Sequence, residues 1–284
     1  MSDDLTRRHV IRIGAAGTTV LCLPIGLLPT LADDKSVTPL PQAHAHNDYE
    51  HPRPLRDALA QGFCSVEADV FLTPDGLLVA HERKDLKPGR TLETLYLDPL
   101  RDLVKANGGK VYPNGPAFYL LIDVKTGAAE TYAALDKILA GYADLLSVTR
   151  NGKFEPKAVK VVVSGNRDKE AMTRQAVRYA GIDGRPEDLG SDAPADLVPW
   201  ISANWNLLFR WRGDGPMPEA EQAKLRGLVE KAHGRGRLVR FWATPETETV
   251  WKELLSAGVD LINTDKLGEL RTFLLANPTE RKKP

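Results

Sequence analysis

Cysteine is almost missing from this sequence: Cys22 and Cys64 are the two in 284 residues. A disulfide framework and a cysteine-rich zinc site both need more thiols than that. Net charge is missing too, since 38 Lys+Arg balance 38 Asp+Glu. A general nucleic-acid binder carries a basic excess, so no nucleic-acid partner is expected. A spanning helix needs about 20 consecutive apolar residues, and no uninterrupted run of that length occurs. The G-x-G-x-x-G loop of a dinucleotide-binding sheet does not occur, nor does any internal repeat or low-complexity tract. What remains is 42% hydrophobic and 27% charged, near the average for soluble globular chains. Wholesale disorder, a multi-span membrane protein and a collagen-like fibre are excluded. The length suits one large domain or two small ones.

Residues 1–32 differ from the rest. Arg7, Arg8 and Arg12 precede a weakly apolar stretch from Ile13 to Leu31, broken by Gly14, Gly17, Gly26, Pro24 and Pro29. A charged start, an apolar middle and a small-residue end at Thr30-Leu31-Ala32 read as a signal peptide. The paired arginines resemble a twin-arginine signal, with an uncleaved anchor as the alternative. The expectation is a bacterial periplasmic or secreted protein. It would engage the twin-arginine export machinery and keep no membrane span after cleavage. The processed chain would hold one cysteine, Cys64, and so no internal disulfide.

From residue 33 to 276, short apolar runs alternate with helical patterns. Strands are expected at 42–46, 65–72, 118–125, 158–164, 200–205, 237–243 and 260–263, and an eighth, poorly patterned, near 181–189. A short hairpin strand at 77–80 follows the turn residues Pro74-Asp75-Gly76. Helices are expected at 54–61, 99–106, 128–146, 169–179, 218–232 and 245–256. Strands alternating with helices imply parallel βαβ units. Seven or eight such units fit one (β/α)8 barrel, irregular at one strand, better than a doubly wound sheet. The Pro- and Lys-rich tail, 277–284, is expected to fray.

Residues two apart on a strand share a face. In Ser65-Val66-Glu67-Ala68-Asp69-Val70 the apolar face is Val66, Ala68 and Val70, which suits the helix-covered outside of a barrel. Glu67 and Asp69 then point inward. By the same reasoning Asp123 and Lys125 point inward while Ile122 and Val124 face the helices. Three converging carboxylates repel unless a cation joins them, and hard oxygen ligands favour Mg²⁺ or Ca²⁺. A structural ion-pair network around Lys125 accounts for the pattern equally well.

His46 and His81 each end a strand, where a proton-transfer group would sit. His44 shares the face of His46 one layer deeper and reads as packed. His51 lies in a loop, and His233 suits a helix C-terminus. Asn204, Asn263 and Ser164-Gly165-Asn166 sit at strand C-termini, the functional face of a barrel, and could contact ligand or local backbone. Arg240 and Trp242 share one face, and Trp242 suits a head-group site or a core position. Trp200, Trp205, Phe209 and Trp211 form a lipid-contacting rim or ordinary packing. Lys153, Lys157 and Lys160 read as a solvated face.

Taken in order, Ala45-His46-Asn47-Asp48-Tyr49, Ala58-Leu59-Ala60-Gln61-Gly62, Val66–Val70, Asp75-Gly76, Val79-Ala80-His81-Glu82, Leu121–Lys125 and Gly258–Asp265 resemble the glycerophosphodiester phosphodiesterases. The nearest branch is that of phosphatidylinositol-specific phospholipase C, sphingomyelinase D and the "altered inheritance of mitochondria" group, which shares the His-Asn-Asp-Tyr start. The resemblance implies a barrel, one divalent cation (Mg²⁺ or Ca²⁺) on Glu67, Asp69 and Asp123, and His46 and His81 as the acid/base pair. It also implies that Lys125 faces the phosphate of a small-molecule or lipid phosphodiester. Trp242 and Asn47 would join Asn204 and Asn263 in binding it. Asn47-Asp48 replaces the usual Arg-Gly, Asp123 replaces a Glu, and the stretch from Glu82 to Leu97 is too short for the family's insertion. The chemistry therefore carries over, whereas the head group does not. Two other readings stay open. One is a non-catalytic, cation-dependent binding barrel. The other is an amidohydrolase-type hydrolase using His44-Ala45-His46.

Overall fold

Short, largely apolar strands alternating with helices build this chain. The computed structural model describes residues 37–278. The expected signal peptide at 1–32 and the last six residues of the expected frayed tail lie outside them. The strands are β1 (Leu40–Ala45), β2 (Phe63–Thr73), β3 (Gly76–Val79), β4 (Phe118–Val124), β5 (Val148–Arg150), β6 (Lys153–Glu155), β7 (Val159–Gly165), β8 (Val177–Arg178), β9 (Ala180–Gly184), β10 (Trp200–Asn204), β11 (Leu238–Trp242) and β12 (Leu261–Thr264). The helices are α1 (Arg56–Ala60), α2 (Asp98–Ala106), α3 (Ala128–Ala140), α4 (Lys169–Arg174), α5 (Trp205–Leu208), α6 (Glu219–His233), α7 (Glu248–Ser256) and α8 (Leu267–Ala276).

Nine strands share one sheet in the order β1-β12-β11-β10-β9-β7-β4-β2-β3, and β1 also pairs with β2. That extra pairing closes the sheet. With β3 antiparallel on the edge of β2, the eight parallel strands form the expected (β/α)8 barrel. The irregular eighth strand is β9. Its pattern is poor because Gly181 and Gly184 interrupt it, and both are needed. A Cβ on Gly181 would press on Pro199, and one on Gly184 on Val198 and Ile201.

The periodicity of the strands decides what they bury. Outward residues such as Val66, Ala68, Ile122, Val161 and Val163 join the large core under the helices. Inward residues form a second, smaller cluster of Leu121, Val162, Trp200, Leu238 and Leu261. It plugs the middle of the barrel, so the interior is a packed core rather than a pore.

Helix caps fix where several connections turn. Asp168 accepts from Ala171 N–H at the start of α4, and Thr247 does the same for Val250 in α7. Such caps are typically worth about 1 kcal/mol. The helix expected at 128–146 stops at Ala140, and residues 141–145 continue as turns toward β5. The helix expected at 169–179 stops at Arg174, and Val177–Arg178 pairs with β5 instead. β5, β6 and β8 make a small antiparallel sheet beside the barrel. Its hairpin turns at Asn151-Gly152, both left-handed with φ of 49° and 78°, a two-residue turn matched to strand twist. Among the described residues no helix is long and apolar enough to cross a membrane.

Candidate active site

The register of β2 on β4 sets the site. Asp69 pairs with Asp123 and Glu67 with Leu121, so two carboxylates stand side by side and the third lies one inward layer deeper. One oxygen from each of Glu67, Asp69 and Asp123 lies within 4.8 Å of the others. Lys125 Nζ donates to Asp123 Oδ2 at 2.7 Å and lies 3.0 Å from Asp69 Oδ2. The other oxygen of each aspartate, Oδ1, is buried with no hydrogen-bond partner. A buried carboxylate oxygen without a partner is costly, and two of them beside Glu67 fit a hard cation. The expected ion-pair network and the expected metal centre thus share one cluster. Lysine takes the Oδ2 atoms, and the Oδ1 atoms have no hydrogen-bond partner.

Gly165, at φ +64°, backs directly onto this cluster. A Cβ there would collide with Asp123 Oδ1 and the Val124 backbone. Of the Ser164-Gly165-Asn166 trio, Asn166 turns away to donate to Thr126 O.

The first strand and its turn stitch the cleft together. Asn47 is left-handed, with φ 46°, and this sends successive side chains of the His-Asn-Asp-Tyr run in different directions. His46 Nδ1 lies 2.9 Å from Asp265 Oδ1 and 2.9 Å from Asn47 Nδ2. It donates to Asp265 when protonated and accepts from Asn47 when bare, so either state finds a partner. Tyr49 O–H lies 2.7 Å from Asp69 Oδ2, 2.8 Å from Asn47 Oδ1 and 3.0 Å from His81 Nδ1. Asp48 points away from the cleft. It is buried and accepts from Leu55 N–H and Tyr96 O–H.

Charges below and beside the carboxylates set their protonation. Burial raises the Glu67 pKa, but the Arg240 guanidinium at 3.0 Å and the His44 hydrogen bond outweigh it and hold Glu67 ionised. Burial and the neighbouring Glu67 charge push Asp69 up to about 6, against the pull of Lys125. Burial likewise raises Asp123. For His46, burial favours the neutral ring, yet the Asp265 bond and the Glu67 charge raise its pKa. Lys125 is raised because Asp123 and Asp69 outweigh the cost of burial.

A cleft of about 270 Å³ opens at the C-terminal ends of the strands, where a barrel carries its functional groups. His46, His81, Asn47, Lys125 and Trp242 line it with the three carboxylates. Ser164, Asp183, Arg185 and Arg240 also line it. Arg185 lies over the Trp242 ring at 4.9 Å and is gripped by Asp183 at 2.6 Å.

Two expected ligand contacts fall elsewhere. Asn204 caps α5 by accepting from Asn206 N–H, so it serves local backbone. Asn263 is buried and accepts from Arg240 Nε, so it steadies Arg240 instead of facing a ligand. His44 is packed, as expected. Its ring sits 2.7 Å from Ser65 Oγ and 3.5 Å from Glu67, and burial with nearby Arg240 drives its pKa down to about 4. With both nitrogens engaged one layer deeper, His44 does not pair with His46 on a metal. Trp205, Phe209 and Trp211 pack together under Phe241, and Trp200 stands inside the barrel, so none forms a rim. Asp265, Arg185 and Asp183 escaped the sequence reading. Asp265 lay in the quoted closing segment just past β12, and its position beyond a strand end was its one signal.

Comparison with known proteins gives the kinship. Residues 33–182 match the AIM6-like phosphodiesterase domain, and residues 239–268 match the glycerophosphoryl diester phosphodiesterase family. The altered inheritance of mitochondria protein 6 homolog of Arthroderma benhamiae is 28% identical over 84% of this chain and 85% of its own length. Altered inheritance of mitochondria protein 6 of Eremothecium gossypii is 30% identical over 84% of this chain and 71% of its own. Two solved structures share the fold. A calcium-dependent phosphoinositol-specific phospholipase C from a Gram-negative Pseudomonas has a TM-score of 0.53 at 13% identity, over 82% of this chain and 90% of that one. A glycerophosphodiester phosphodiesterase from Parabacteroides distasonis has a TM-score of 0.52 at 16% identity, over 84% and 98%. The expectation of a bacterial periplasmic or secreted location conflicts with the first two relatives, which are fungal, and is withdrawn. With the barrel, the acidic cluster and the match over residues 33–182 in agreement, the chain belongs to the family of AIM6-like phosphodiesterase domains.

Proposed function

We propose that this cleft hydrolyses a phosphodiester, either a glycerophosphodiester or a phospholipid head-group phosphodiester, with one divalent cation held by Glu67, Asp69 and Asp123. The observation that carries the reading is the pair of buried, unpartnered Oδ1 atoms on Asp69 and Asp123. A bound cation supplies charge neutralisation and Lewis acidity at the phosphoryl group.

The chain's own residues do the rest. Lys125, kept protonated by two aspartates, sets a positive charge where the phosphate lies. His46, oriented through Nδ1 by Asp265, lines the cleft and takes or gives the proton on one side of the phosphorus. His81 serves the other side, with its Nδ1 near Tyr49 O–H and its ring 53% exposed. Tyr49, whose O–H is driven strongly toward its neutral form by burial and Asp69, acts as a fixed donor. Arg185, laid on Trp242, offers a second cation for a head group.

The test is a phosphodiester panel, glycerophosphoinositol and glycerophosphocholine included, with Mg²⁺, Ca²⁺ or chelator. Turnover should require the cation. His46→Ala and His81→Ala should each cost about 10²–10⁴-fold, without adding, because both act in one proton-transfer cycle. A nitrophenyl phosphodiester, whose leaving group needs no proton, should rescue whichever histidine is the acid. Cation-dependent ligand binding with no turnover of any substrate would leave a binding barrel as the better account.

A further inference from the structure

A second cavity, of about 250 Å³, opens at the opposite end of the barrel, and nothing in the phosphodiesterase reading uses it. The plug of Leu121, Val162, Trp200, Leu238 and Leu261 fills the barrel interior between the two ends. Its floor is the small antiparallel sheet, which contributes Thr149, Phe154 and Arg178. Its roof is the N-terminal end of the barrel strands, where Tyr119 and Lys160 stand side by side in register.

Lys160 is the unusual group. Strand alternation turns it inward, unlike the solvated face expected for it with Lys153 and Lys157. Its ammonium lies 3.4 Å from Tyr119 O–H and over two rings, 5.3 Å from Tyr119 and 5.8 Å from Phe154. Among the described residues it has no carboxylate within ion-pair distance. The nearby acid is already committed: Asp196 takes Arg178 at 2.7 Å and Thr149 at 2.6 Å. Aromatic faces compensate a half-buried cation only in part, and an anion would complete it. Tyr179, Pro199, Leu238 and the exposed edge of Phe154 add apolar surface to its walls.

We propose that this cavity is a second ligand site, taking a small aromatic molecule with a single anionic group. The carboxylate would meet Lys160 and the ring would lie between Tyr119 and Phe154. One charge suits one uncommitted ammonium. The volume lies at or below the lower end for small-molecule sites, which suits one ring or two fused rings.

Calorimetric titration of the full chain tests this with 2-naphthoate and its neutral counterpart 2-naphthamide. The expected result is one-to-one binding of naphthoate, with affinity at least tenfold lower for naphthamide. Lys160→Met should weaken naphthoate by a similar factor, Lys160→Arg should retain it, and Phe154→Ala should weaken it several-fold. Asp123→Asn and chelator, acting at the other end, should leave it unchanged. If Lys160→Met fails to fold by circular dichroism, the naphthoate–naphthamide pair and Phe154→Ala on the rim decide the matter. Absence of naphthoate binding, equal affinity for acid and amide, or loss of binding in Asp123→Asn would each overturn the proposal.

Discussion

The two ends of one barrel solve opposite problems with the same strands. At the C-terminal end, inward positions of β2, β4 and β11 hold Glu67, Asp69, Asp123 and Arg240, a cluster whose charges are in excess of their partners. Along β4 and β11, two residues earlier on the same face stand Leu121 and Leu238, members of the plug. Each strand thus carries stability at one depth and chemistry at the next. The step costs little because alternation leaves the outer face, which packs on helices, unchanged. The difference teaches that the acidic cluster is held in place by apolar residues beneath it. Charge can be altered there without touching the plug, and the plug weakened without altering the charge.

The sharpest way to break that separation is Asp123→Asn. It removes one charge and one of the proposed cation ligands but keeps the shape. Turnover should fall by about 10³-fold or more, as expected when a metal's charge stabilisation is lost, and cation binding by calorimetry should weaken in parallel. The urea midpoint should hold or rise, because burial and Glu67 already disfavour that carboxylate. A collapse in stability would show that the cluster is structural. Next in size is the reverse experiment. Leu261→Ala in the plug should cost about 2–5 kcal/mol by urea unfolding, while turnover per folded molecule stays within a few-fold of the parent.

Asp48 sharpens the comparison within a single motif. It sits next to the cleft residues His46 and Asn47 yet serves only local hydrogen bonds, to Leu55 N–H and Tyr96 O–H. Burial raises its pKa to about 7 in the folded protein, against about 3.9 in an unfolded chain. Between those values the folded state holds a proton that the unfolded state has released. Stability from this group is therefore complete below about pH 4 and is lost as pH rises through 7. A single proton gives at most roughly 1.4 kcal/mol per pH unit in that window. Asp48→Asn should remove this part of the pH dependence between pH 5 and 7, with turnover little changed. An unaltered pH–stability curve would show that Asp48 is ionised when folded. The smallest effect is expected for Asp265→Asn, which orients His46 without reaching the substrate. Turnover should drop roughly tenfold, and the pH profile should shift to lower values, because a partner that raises the His46 pKa is gone. A drop with an unmoved profile would make Asp265 merely structural.

Much of this was legible in residue order. Alternation alone turned Glu67, Asp69, Asp123 and Lys125 inward, because the outward positions between them are all apolar. The Asn151-Gly152 hairpin went unread, although Asn-Gly between Val148-Thr149-Arg150 and Lys153-Phe154-Glu155 is a turn signal. The helical reading of 169–179 hid its third strand. Asn204 and Asn263 were placed at the right strand ends, but sequence position does not say whether an amide meets ligand, helix N-terminus or guanidinium.

Local order determined the alternation of strands and helices, the barrel they imply, and which side of each strand is charged. These depend on neighbours two to four residues apart, and side-chain periodicity records them directly. Tertiary structure decided the rest. It placed Asp265 on His46 across 219 positions and Arg240 on Glu67 across 173. It left two Oδ1 atoms unpartnered, and it turned Lys160 into a cavity whose other side is the small sheet of β5, β6 and β8. Barrel closure brings those groups together, and closure is set by the register of β1 on β12 and β2, which no local pattern encodes.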